Sequence, residues 1–352
     1  MKNLIVGQSG GPTAVINSSL YGVIREGFNR SEEIEHVYGM INGIQGFLDG
    51  RFMDMKELDN DTLEALRTTP GAYLGSCRFK LPDDLNDAIY PLLFQKFEEM
   101  NIGYFFYIGG NDSMDTVSKL SRYAAAHNID VRIMGIPKTI DNDLILTDHT
   151  PGFGSAAKYV AASVCEIGLD ASVYNTKSVT IIEIMGRHAG WLAGAAGLAT
   201  WAGSGPDLIY LPEVDFSMEA FLADVKRVYE DTGNCLVAVS EGIHYSDGAF
   251  VSEAKTSSTD GFGHAQLGGL AALLAESVKR ALGVKVRGIE LALLQRGARQ
   301  RHHRALGHVA ILHVGRVESR LARRRLAHAV ARVAGAVHEL GQGLRIQPAR
   351  PR

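Results

Sequence analysis

Two short polar stretches follow apolar runs and carry the residue types that phosphoryl transfer needs. Gly109–Ser113 offers bare backbone amides beside a carboxylate, and Pro137–Asp143 offers one cation among closely spaced polar side chains. The apolar runs before them, Tyr104–Ile108 and Val131–Ile136, predict buried parallel strands. Ligands of open α/β sheets bind at the carboxyl ends of strands, so both stretches are candidates for a ligand site. From the residue types in them, we predict that they move a phosphoryl group onto a hydroxyl.

The second stretch pairs a cation with a carboxylate. A hydroxyl is a poor nucleophile until a base takes its proton, and Asp141 can act as that base. Lys138 can neutralise the charge that develops in the transition state, and Asp143 can orient the pair. The alternative is an ordinary Asx-rich turn closed by a surface lysine. This alternative gives no reason for a lysine to stand directly before the polar residues of the turn.

Two glycine-containing loops predict contacts with phosphate. In Gly7–Pro12, the pair Gly10 and Gly11 lets backbone amides approach an anion, although a tight turn that merely needs glycine is an equal alternative. A later loop ends in Arg78, whose planar guanidinium suits phosphate oxygens. A surface arginine after a turn explains Arg78 equally well.

The first stretch opens a predicted helix. Asn111 and Asp112 directly follow Gly110, and both are favoured helix caps. Capping explains one polar residue well and the preceding glycine pair poorly. An oxygen ligand pair beside a phosphate would instead hold Mg²⁺.

Further candidates follow later strands. The loop Met185–Gly190 includes Arg187, which suits a sugar phosphate, and His188, which we interpret as a structural partner. Glu241 ends the predicted strand Leu236–Ser240 and can accept hydrogen bonds from sugar hydroxyls.

The alternation of elements predicts an α/β fold with two Rossmann-like lobes, each a mainly parallel sheet flanked by helices. The first helix is predicted from about Pro12, and Val37–Phe47 is predicted as a strand and turn. The last predicted strand, Ile289–Leu294, is bracketed by Arg287 and Arg296.

Residues 297–352 differ from the rest in composition. They hold twelve arginines and two glutamates but no lysine, aspartate or aromatic residue, which is typical of a GC-rich gene read out of frame. The alternative is a basic arm for nucleic acid or an anionic membrane, but it would lack aromatic side chains that stack on bases. We therefore expect two lobes, at 1–150 and 151–296, followed by an atypical tail at 297–352.

The remaining composition favours a cytoplasmic enzyme without membrane or nucleic-acid partners. No apolar run is long enough to span a bilayer, and Met1–Val6 runs into a strand rather than a signal peptide. The cysteines are odd in number and lack metal-ligand spacing, which favours a reducing compartment.

In this order and spacing, the motifs of residues 1–296 resemble the phosphofructokinase family, specifically its pyrophosphate-dependent branch. The matching segments are Ser9–Gly11, Leu74–Arg78, Gly109–Ser113, Pro137–Asp143, Met185–Arg187, Ser240–Gly242 and Leu294–Arg296. The resemblance implies Mg²⁺-dependent, reversible transfer of a phosphoryl group from pyrophosphate to the 1-hydroxyl of fructose 6-phosphate, a step of glycolysis that gives fructose 1,6-bisphosphate.

The resemblance also implies that the lobe at 1–150 binds the phosphoryl donor and that the lobe at 151–296 binds the sugar phosphate. It further implies roles for single residues. Asp141 becomes the general base, with Lys138 and Asp112 as further catalytic residues, and Asn111 falls on a magnesium-associated position where many relatives carry aspartate. The implied diphosphate contacts are Gly10, Gly11, Arg78 and Gly110. The implied substrate contacts are Thr139, Ile140, Asp143, Met185, Gly186, Arg187, Glu241, Arg287 and Arg296. In the family the arginine matched by Arg287 reaches a neighbouring subunit's site, which implies a homo-oligomer, either a dimer or a tetramer.

Two departures favour pyrophosphate over ATP, because the ATP-using branch has glycine where Asp112 and Lys138 stand. A carboxylate at Asp112 would repel the α-phosphate of a nucleotide, and Lys138 supplies a cation to the leaving phosphate. Ser178 replaces the usual sugar-phosphate arginine, with Lys177 beside it as a substitute, and Leu293 replaces a frequent histidine or tyrosine. The alternatives are an ATP-dependent 6-phosphofructokinase and an inactive sugar-phosphate-binding remnant without its C-terminal segment.

Overall fold

The computed structural model describes residues 1–252 and 268–297, which belong to two compact units. The first unit contains Met1–Ser155 together with Arg296 and Gly297, and the second contains residues 156–252 and 268–295. The predictions made for the tail from residue 298 onward lie outside the described residues. Across the described part of the chain, no helix has both the length and the apolar character needed to cross a membrane.

The first unit is built on a mainly parallel sheet. Its strands within the described residues are β1 (Lys2–Gln8), β2 (Ile34–Met40), β3 (Phe52–Asp54), β4 (Ile102–Gly109) and β5 (Arg132–Pro137). They lie in the order β3-β2-β1-β4-β5, and β3 alone among them runs antiparallel to its neighbour. The helices of this unit are α1 (Ile16–Asn29), α2 (Gly43–Leu48), α3 (Asn60–Leu66), α4 (Ile89–Glu99) and α5 (Asn111–Ala126).

Alternation along β1 divides the core of the first unit between the two faces of the sheet. Ile5 belongs to a buried cluster with aromatic side chains of α4, such as Phe97. Its neighbours Leu4 and Val6 belong to a second cluster that includes Leu20 of α1. Successive side chains of a strand point to opposite faces, so helices cover this sheet on both sides.

The second unit is built on a parallel sheet with the order β7-β8-β6-β9. Its strands within the described residues are β6 (Ser178–Ile184), β7 (Leu208–Tyr210), β8 (Asn234–Ser240) and β9 (Val286–Glu290). Helices α7 (Trp191–Ala195), α8 (Met218–Thr232) and α9 (Leu270–Leu282) belong to this unit, and the division between units falls within α6 (Phe153–Ser172) and within α10 (Leu294–Gly297). The predicted α/β fold class, with mainly parallel sheets flanked by helices, is confirmed.

Three sequence predictions about the first unit are corrected. Helix α1 begins at Ile16 rather than near Pro12, because the carbonyl oxygen of Thr13 accepts from the Gly71 amide and the chain stays in a loop. The predicted turn after β2 is the short helix α2. Strand β5 is not buried: as the last strand in the sheet it has β4 on one side only, and Met134 is 56% exposed.

One prediction about the second unit is also wrong. The last strand is Val286–Glu290 rather than Ile289–Leu294, so Arg287 lies inside β9 instead of before it. Ala292 has a φ of 43°, a left-handed conformation that ends extended structure, and the short helix α10 follows.

Candidate functional site

The glycine pair after β1 forms a turn beside the loop that carries Arg78. Gly10 has a φ of 76°, which glycine adopts without strain, and its carbonyl oxygen accepts a hydrogen bond from Ser76 Oγ at 2.7 Å. Ser76 lies two residues before Arg78, so the turn and the arginine belong to one hydrogen-bonded group of loops. The predicted diphosphate residues Gly10, Gly11 and Arg78 are therefore close in the chain's fold.

The amino end of α5 lies at the carboxyl end of β4. Gly110 occupies the cap position without a side chain, and Asn111 and Asp112 form the first turn of this 16-residue helix. A Cβ atom on Gly109 would lie 1.9 Å from Ser113 Oγ, so only glycine fits there. The free amides and the helix dipole favour an anion at the amino end of α5. The carboxylate of Asp112 opposes this effect, because it repels an anion there.

Lys138 connects the two stretches and the glycine turn. Its backbone amide donates to the carbonyl oxygen of Gly109 at 2.9 Å, and its Nζ donates to the carbonyl oxygen of Gly11 at 2.6 Å. The side chain is only 3% exposed. Burial and the positive charge of Arg296 lower its pKa to about 8, while the charge of Asp141 acts in the opposite direction.

Asp141 has the properties of a general base. Its Oδ2 accepts from Thr139 Oγ1 at 3.3 Å, and its backbone amide donates to the same hydroxyl at 3.1 Å. Burial, followed by the negative charge of Asp143, raises the pKa of Asp141 above its usual value. A carboxylate with a raised pKa is a stronger base and therefore accepts a proton more readily. General bases are most effective when their pKa lies near the operating pH.

A brace that the sequence analysis did not single out holds this stretch. Asn142 has a φ of 60°, and its Oδ1 accepts from the Thr150 amide at 2.8 Å. Thr150 Oγ1 donates back to the carbonyl oxygen of Thr139 at 2.8 Å. Asparagine tolerates the left-handed region and hydrogen-bonds to nearby backbone. An asparagine between two aspartates was therefore the sequence signal for this turn. The brace fixes Thr139 and the residues around Asp141.

Oxygen donors for a cation lie at the same edge. Asn111 Nδ2 donates to Asp143 Oδ2 at 3.0 Å, so the two predicted stretches meet. Among the described residues, no three His, Cys, Asp or Glu side chains converge as a metal cage. Mg²⁺ usually takes one or two carboxylates together with water and substrate phosphates, and the Asp143 carboxylate with the Asn111 amide oxygen fits that chemistry.

Arg296 and Ile140 occupy different environments in the first unit. The Arg296 guanidinium lies 3.3 Å from the position that a Cβ atom on Gly11 would take, next to the glycine turn. Ile140 is 5% exposed, and its Cγ2 lies 3.5 Å from the position of a Cβ atom on Gly152. The Arg296 guanidinium thus lies beside Gly11, whereas the Ile140 side chain packs inside the unit.

The second unit brings together the predicted residues Met185, Gly186, Arg187 and Glu241. The Gly186 amide donates to Glu241 Oε1 at 3.2 Å, and the Gly186 carbonyl oxygen accepts from Ser240 Oγ at 2.5 Å. Gly186 has a φ of 139°, and a Cβ atom there would lie 2.5 Å from a carbonyl oxygen. We call Met185–Arg187 the sugar-phosphate loop, after the contacts predicted for it from the sequence.

Two supporting contacts of the sugar-phosphate loop were not foreseen. The Met185 amide donates to Gln295 Oε1 at 3.2 Å, and Gln295 is 1% exposed. Ser240 is fully buried at the end of β8. A polar residue at the end of an apolar strand was the sequence signal for Ser240. The Gln295 contact had no local signal, because it joins residues 110 positions apart.

Arg287 is not brought to the sugar-phosphate loop of its own chain. It pairs with Thr180 near the start of β6, whereas the loop follows the end of that strand, about 16 Å further along. Its guanidinium is exposed, lies 3.5 Å from Asp170 Oδ2 and covers the ring of Tyr174. The ring of His188 lies 6.1 Å from the ring of Phe250, centroid to centroid.

Comparison with known proteins identifies the family. The phosphofructokinase family model matches residues 3–306. The chain belongs to the phosphofructokinase family. This result confirms the resemblance stated from the motifs.

Relatives within the phosphofructokinase family carry a more specific name. A pyrophosphate--fructose 6-phosphate 1-phosphotransferase from Xanthomonas campestris pv. campestris is 48% identical over 304 residues, covering 84% of this chain and 71% of the relative. The protein of the same name from Halomonas elongata is 44% identical over 301 residues, with the same coverage of both chains. The crystal structure of a pyrophosphate-dependent phosphofructokinase from Marinobacter aquaeolei has a TM-score of 0.73 and 41% identity, covering 85% of this chain and 70% of that one.

Proposed function

We propose that this phosphofructokinase transfers a phosphoryl group reversibly from pyrophosphate to the 1-hydroxyl of fructose 6-phosphate and so acts in glycolysis. The observation that carries the proposal is the position of Lys138, whose buried ammonium group reaches the donor turn at Gly11. The names of the similar proteins support the same donor and acceptor. The products are fructose 1,6-bisphosphate and orthophosphate.

In this mechanism Asp141 accepts the proton of the 1-hydroxyl as the sugar oxygen attacks phosphorus. A bond forms between that oxygen and the phosphorus, and the bond to the bridging oxygen of pyrophosphate breaks. Thr139 Oγ1 holds the Asp141 carboxylate in place. The raised pKa of Asp141 supports proton acceptance in the forward direction and donation in the reverse direction.

Lys138 and Asp112 set the choice of donor. Lys138 Nζ lies 3.3 Å from the position that a Cβ atom on Gly10 would take, so it occupies space beside the glycine turn. Its positive charge stabilises the negative charge that develops on the departing orthophosphate. Asp112 in the first turn of α5 repels a third phosphate or a nucleotide α-phosphate. The short inorganic donor therefore fits and ATP does not.

We propose that Asp143 and Asn111 hold Mg²⁺ together with the phosphates of the donor. When bound, Mg²⁺ would neutralise donor charge and stabilise the transferring phosphoryl group. The neutral amide oxygen of Asn111 is a weaker ligand for Mg²⁺ than a carboxylate. Asp143 therefore carries most of the protein's contribution.

We propose that Met185, Gly186, Arg187 and Glu241 bind the sugar phosphate, Arg187 through its charge and Glu241 through the sugar hydroxyls. Arg287 lies at the opposite end of β6 and β9, so its predicted contact requires a second copy of the chain. This requirement supports a homo-oligomer, either a dimer or a tetramer.

The test is an assay of the purified 352-residue chain with fructose 6-phosphate, Mg²⁺ and either pyrophosphate or ATP. Formation of fructose 1,6-bisphosphate with pyrophosphate, and its absence with ATP, is the expected result. Equal or faster turnover with ATP would replace the proposal by an ATP-dependent 6-phosphofructokinase. If the chain binds fructose 6-phosphate but gives no product with either donor, the result supports the alternative of an inactive sugar-phosphate-binding protein.

A further inference from the structure

Two buried side-chain amides lie on either side of the glycine turn, and the proposed chemistry makes no use of them. Gln8 is the last residue of β1 and Asn17 is the second residue of α1, so the chain between them contains the turn. Gln8 is fully buried and Asn17 is 2% exposed. Buried amides cost free energy unless their hydrogen bonds are satisfied, so the partners of these two side chains indicate their role.

The two amides first bind each other across the base of the turn. Gln8 Nε2 donates to Asn17 Oδ1 at 3.0 Å and to the carbonyl oxygen of Ile16 at 3.2 Å. These bonds fix the end of β1 relative to the start of α1. We call Gln8 and Asn17 the amide pair.

The chain that carries Arg78 has no regular structure of its own. The described stretch between α3 and α4 contains no helix or strand, and we call its part Thr69–Arg78 the Arg78 segment. Leu74 is buried in the core of the unit, whereas Tyr73 before it is exposed. Packing therefore fixes one point of the segment, and the remaining backbone depends on hydrogen bonds to neighbouring elements.

The amide pair supplies three of those hydrogen bonds. Asn17 Oδ1 accepts from the Tyr73 amide at 2.8 Å, and Asn17 Nδ2 donates to the carbonyl oxygen of Thr69 at 2.9 Å. Gln8 Oε1 accepts from the Leu74 amide at 2.9 Å. Every nitrogen and oxygen of the two side-chain amides thus has a partner, and a fully satisfied buried network specifies a single arrangement.

Two further bonds join the other end of the Arg78 segment to the glycine turn itself. Ser76 Oγ donates to the carbonyl oxygen of Gly10, and Ser9 Oγ donates to the carbonyl oxygen of Cys77 at 3.2 Å. The segment is therefore bound to the turn and to the residues that flank it. Arg78 is exposed, so the backbone of the segment determines where its guanidinium can reach.

We propose that Gln8 and Asn17 are positioning residues for the phosphoryl donor, because they hold the Arg78 segment against the glycine turn. The inference rests on the proposed function, since it takes the donor to be pyrophosphate. Neither side chain touches a reacting atom. Loss of the amide pair therefore raises the KM for pyrophosphate, whereas the KM for fructose 6-phosphate and the kcat at saturation change little.

The first experiment compares the parent with Asn17→Leu and with Asn3→Leu as a matched control. Asn3 is also buried in the first unit, where its Oδ1 accepts from the His36 amide at 3.0 Å and its Nδ2 donates to the carbonyl oxygen of Met100 at 2.8 Å. It lies near the start of β1, about 16 Å along the strand from Gln8. Both variants should lower the Tm, because each leaves buried backbone groups unpaired. Only Asn17→Leu should raise the KM for pyrophosphate, by about three- to thirtyfold.

The second experiment needs neither a folded variant nor turnover. In the parent, the Tyr73 amide donates to Asn17 and the His36 amide donates to Asn3, so these two amides are matched reporters of hydrogen exchange. Pyrophosphate with Mg²⁺ should slow exchange at Tyr73 several-fold more than at His36, because a donor that binds the positioned segment stabilises that arrangement. Equal slowing at both amides would overturn the link between the Arg78 segment and the donor.

Failure of this inference is distinguishable from failure of the proposed function. A parent that forms no fructose 1,6-bisphosphate from pyrophosphate overturns the proposed function itself. An active parent, with the same KM for pyrophosphate in Asn17→Leu as in Asn3→Leu, overturns the positioning role alone. A rise of the KM for both substrates by the same factor in Asn17→Leu would also overturn it, because a general loosening of the fold has that effect. If Asn17→Leu does not fold, the exchange measurement on the parent decides.

Discussion

Replacing Lys138 by methionine is expected to stabilise the ligand-free protein while removing its activity. Burial and Arg296 lower the pKa of Lys138 from 10.5 to about 8. Keeping the buried ammonium charged at neutral pH therefore costs about 3 kcal/mol compared with water. The hydrogen bond to the Gly11 carbonyl offsets about 1–2 kcal/mol of this. Methionine should raise the free energy of unfolding by about 1–2 kcal/mol.

The assay is thermal unfolding of ligand-free proteins at neutral pH, followed by turnover with pyrophosphate. We expect the Tm of Lys138→Met to rise by about 2–8 °C and turnover to be lost. The folded-state pKa lies below the unfolded one, so the penalty is complete below about pH 8 and disappears towards pH 10.5. The advantage of the variant should shrink over that window.

Lys119→Met is the matched control. Lys119 is 4% exposed, but its Nζ lies 2.6 Å from Asp83 and 2.7 Å from Asp115, and its pKa is raised. Its removal leaves two carboxylates without their cation and should lower the Tm. If Lys138→Met lowered the Tm as Lys119→Met does, the Lys138 ammonium would be stabilising and the reasoning from its burial would be refuted.

Three further substitutions test the proposed chemistry. Asp141→Asn should reduce kcat by about 10²–10⁴-fold with little change in KM, and a loss of only a few-fold in steady-state assays would remove Asp141 from the mechanism. Asp112→Gly combined with Lys138→Gly should lose pyrophosphate activity and gain ATP binding measurable by calorimetry; unchanged donor preference would place specificity elsewhere. Gly186→Ala forces a Cβ atom to 2.5 Å from a carbonyl oxygen and should raise the KM for fructose 6-phosphate at least about tenfold. Gly22→Ala, where nothing lies within 4 Å, is its control and should leave that KM unchanged.

The candidate site of the first unit was accessible from the sequence because its chemistry is local. Parallel strands end at a common edge, so Gly109–Ser113 and Pro137–Asp143 had to lie together once both strands were recognised. The Lys138 contact with Gly109 and the Asn111 contact with Asp143 are the result. The same logic placed Glu241 beside the sugar-phosphate loop.

The remaining features depend on contacts between distant parts of the chain. The exposure of β5 follows from its place in the strand order, which its apolar sequence does not reveal. The end of β9 depends on the left-handed conformation of Ala292, a residue without turn propensity. The distance of Arg287 from the sugar-phosphate loop depends on the register of β9 with β6.

The position of β5 at the edge of its sheet has a consequence for local stability. The strand that leads into Lys138 and Asp141 is paired on one side, and among the described residues its outer side has no further strand. Interior strands open only when the whole unit unfolds, whereas an edge strand opens at a lower free energy. The position of the Asp141 carboxylate therefore depends largely on the Asn142–Thr150 brace, which compensates for the missing strand on the outer side of β5.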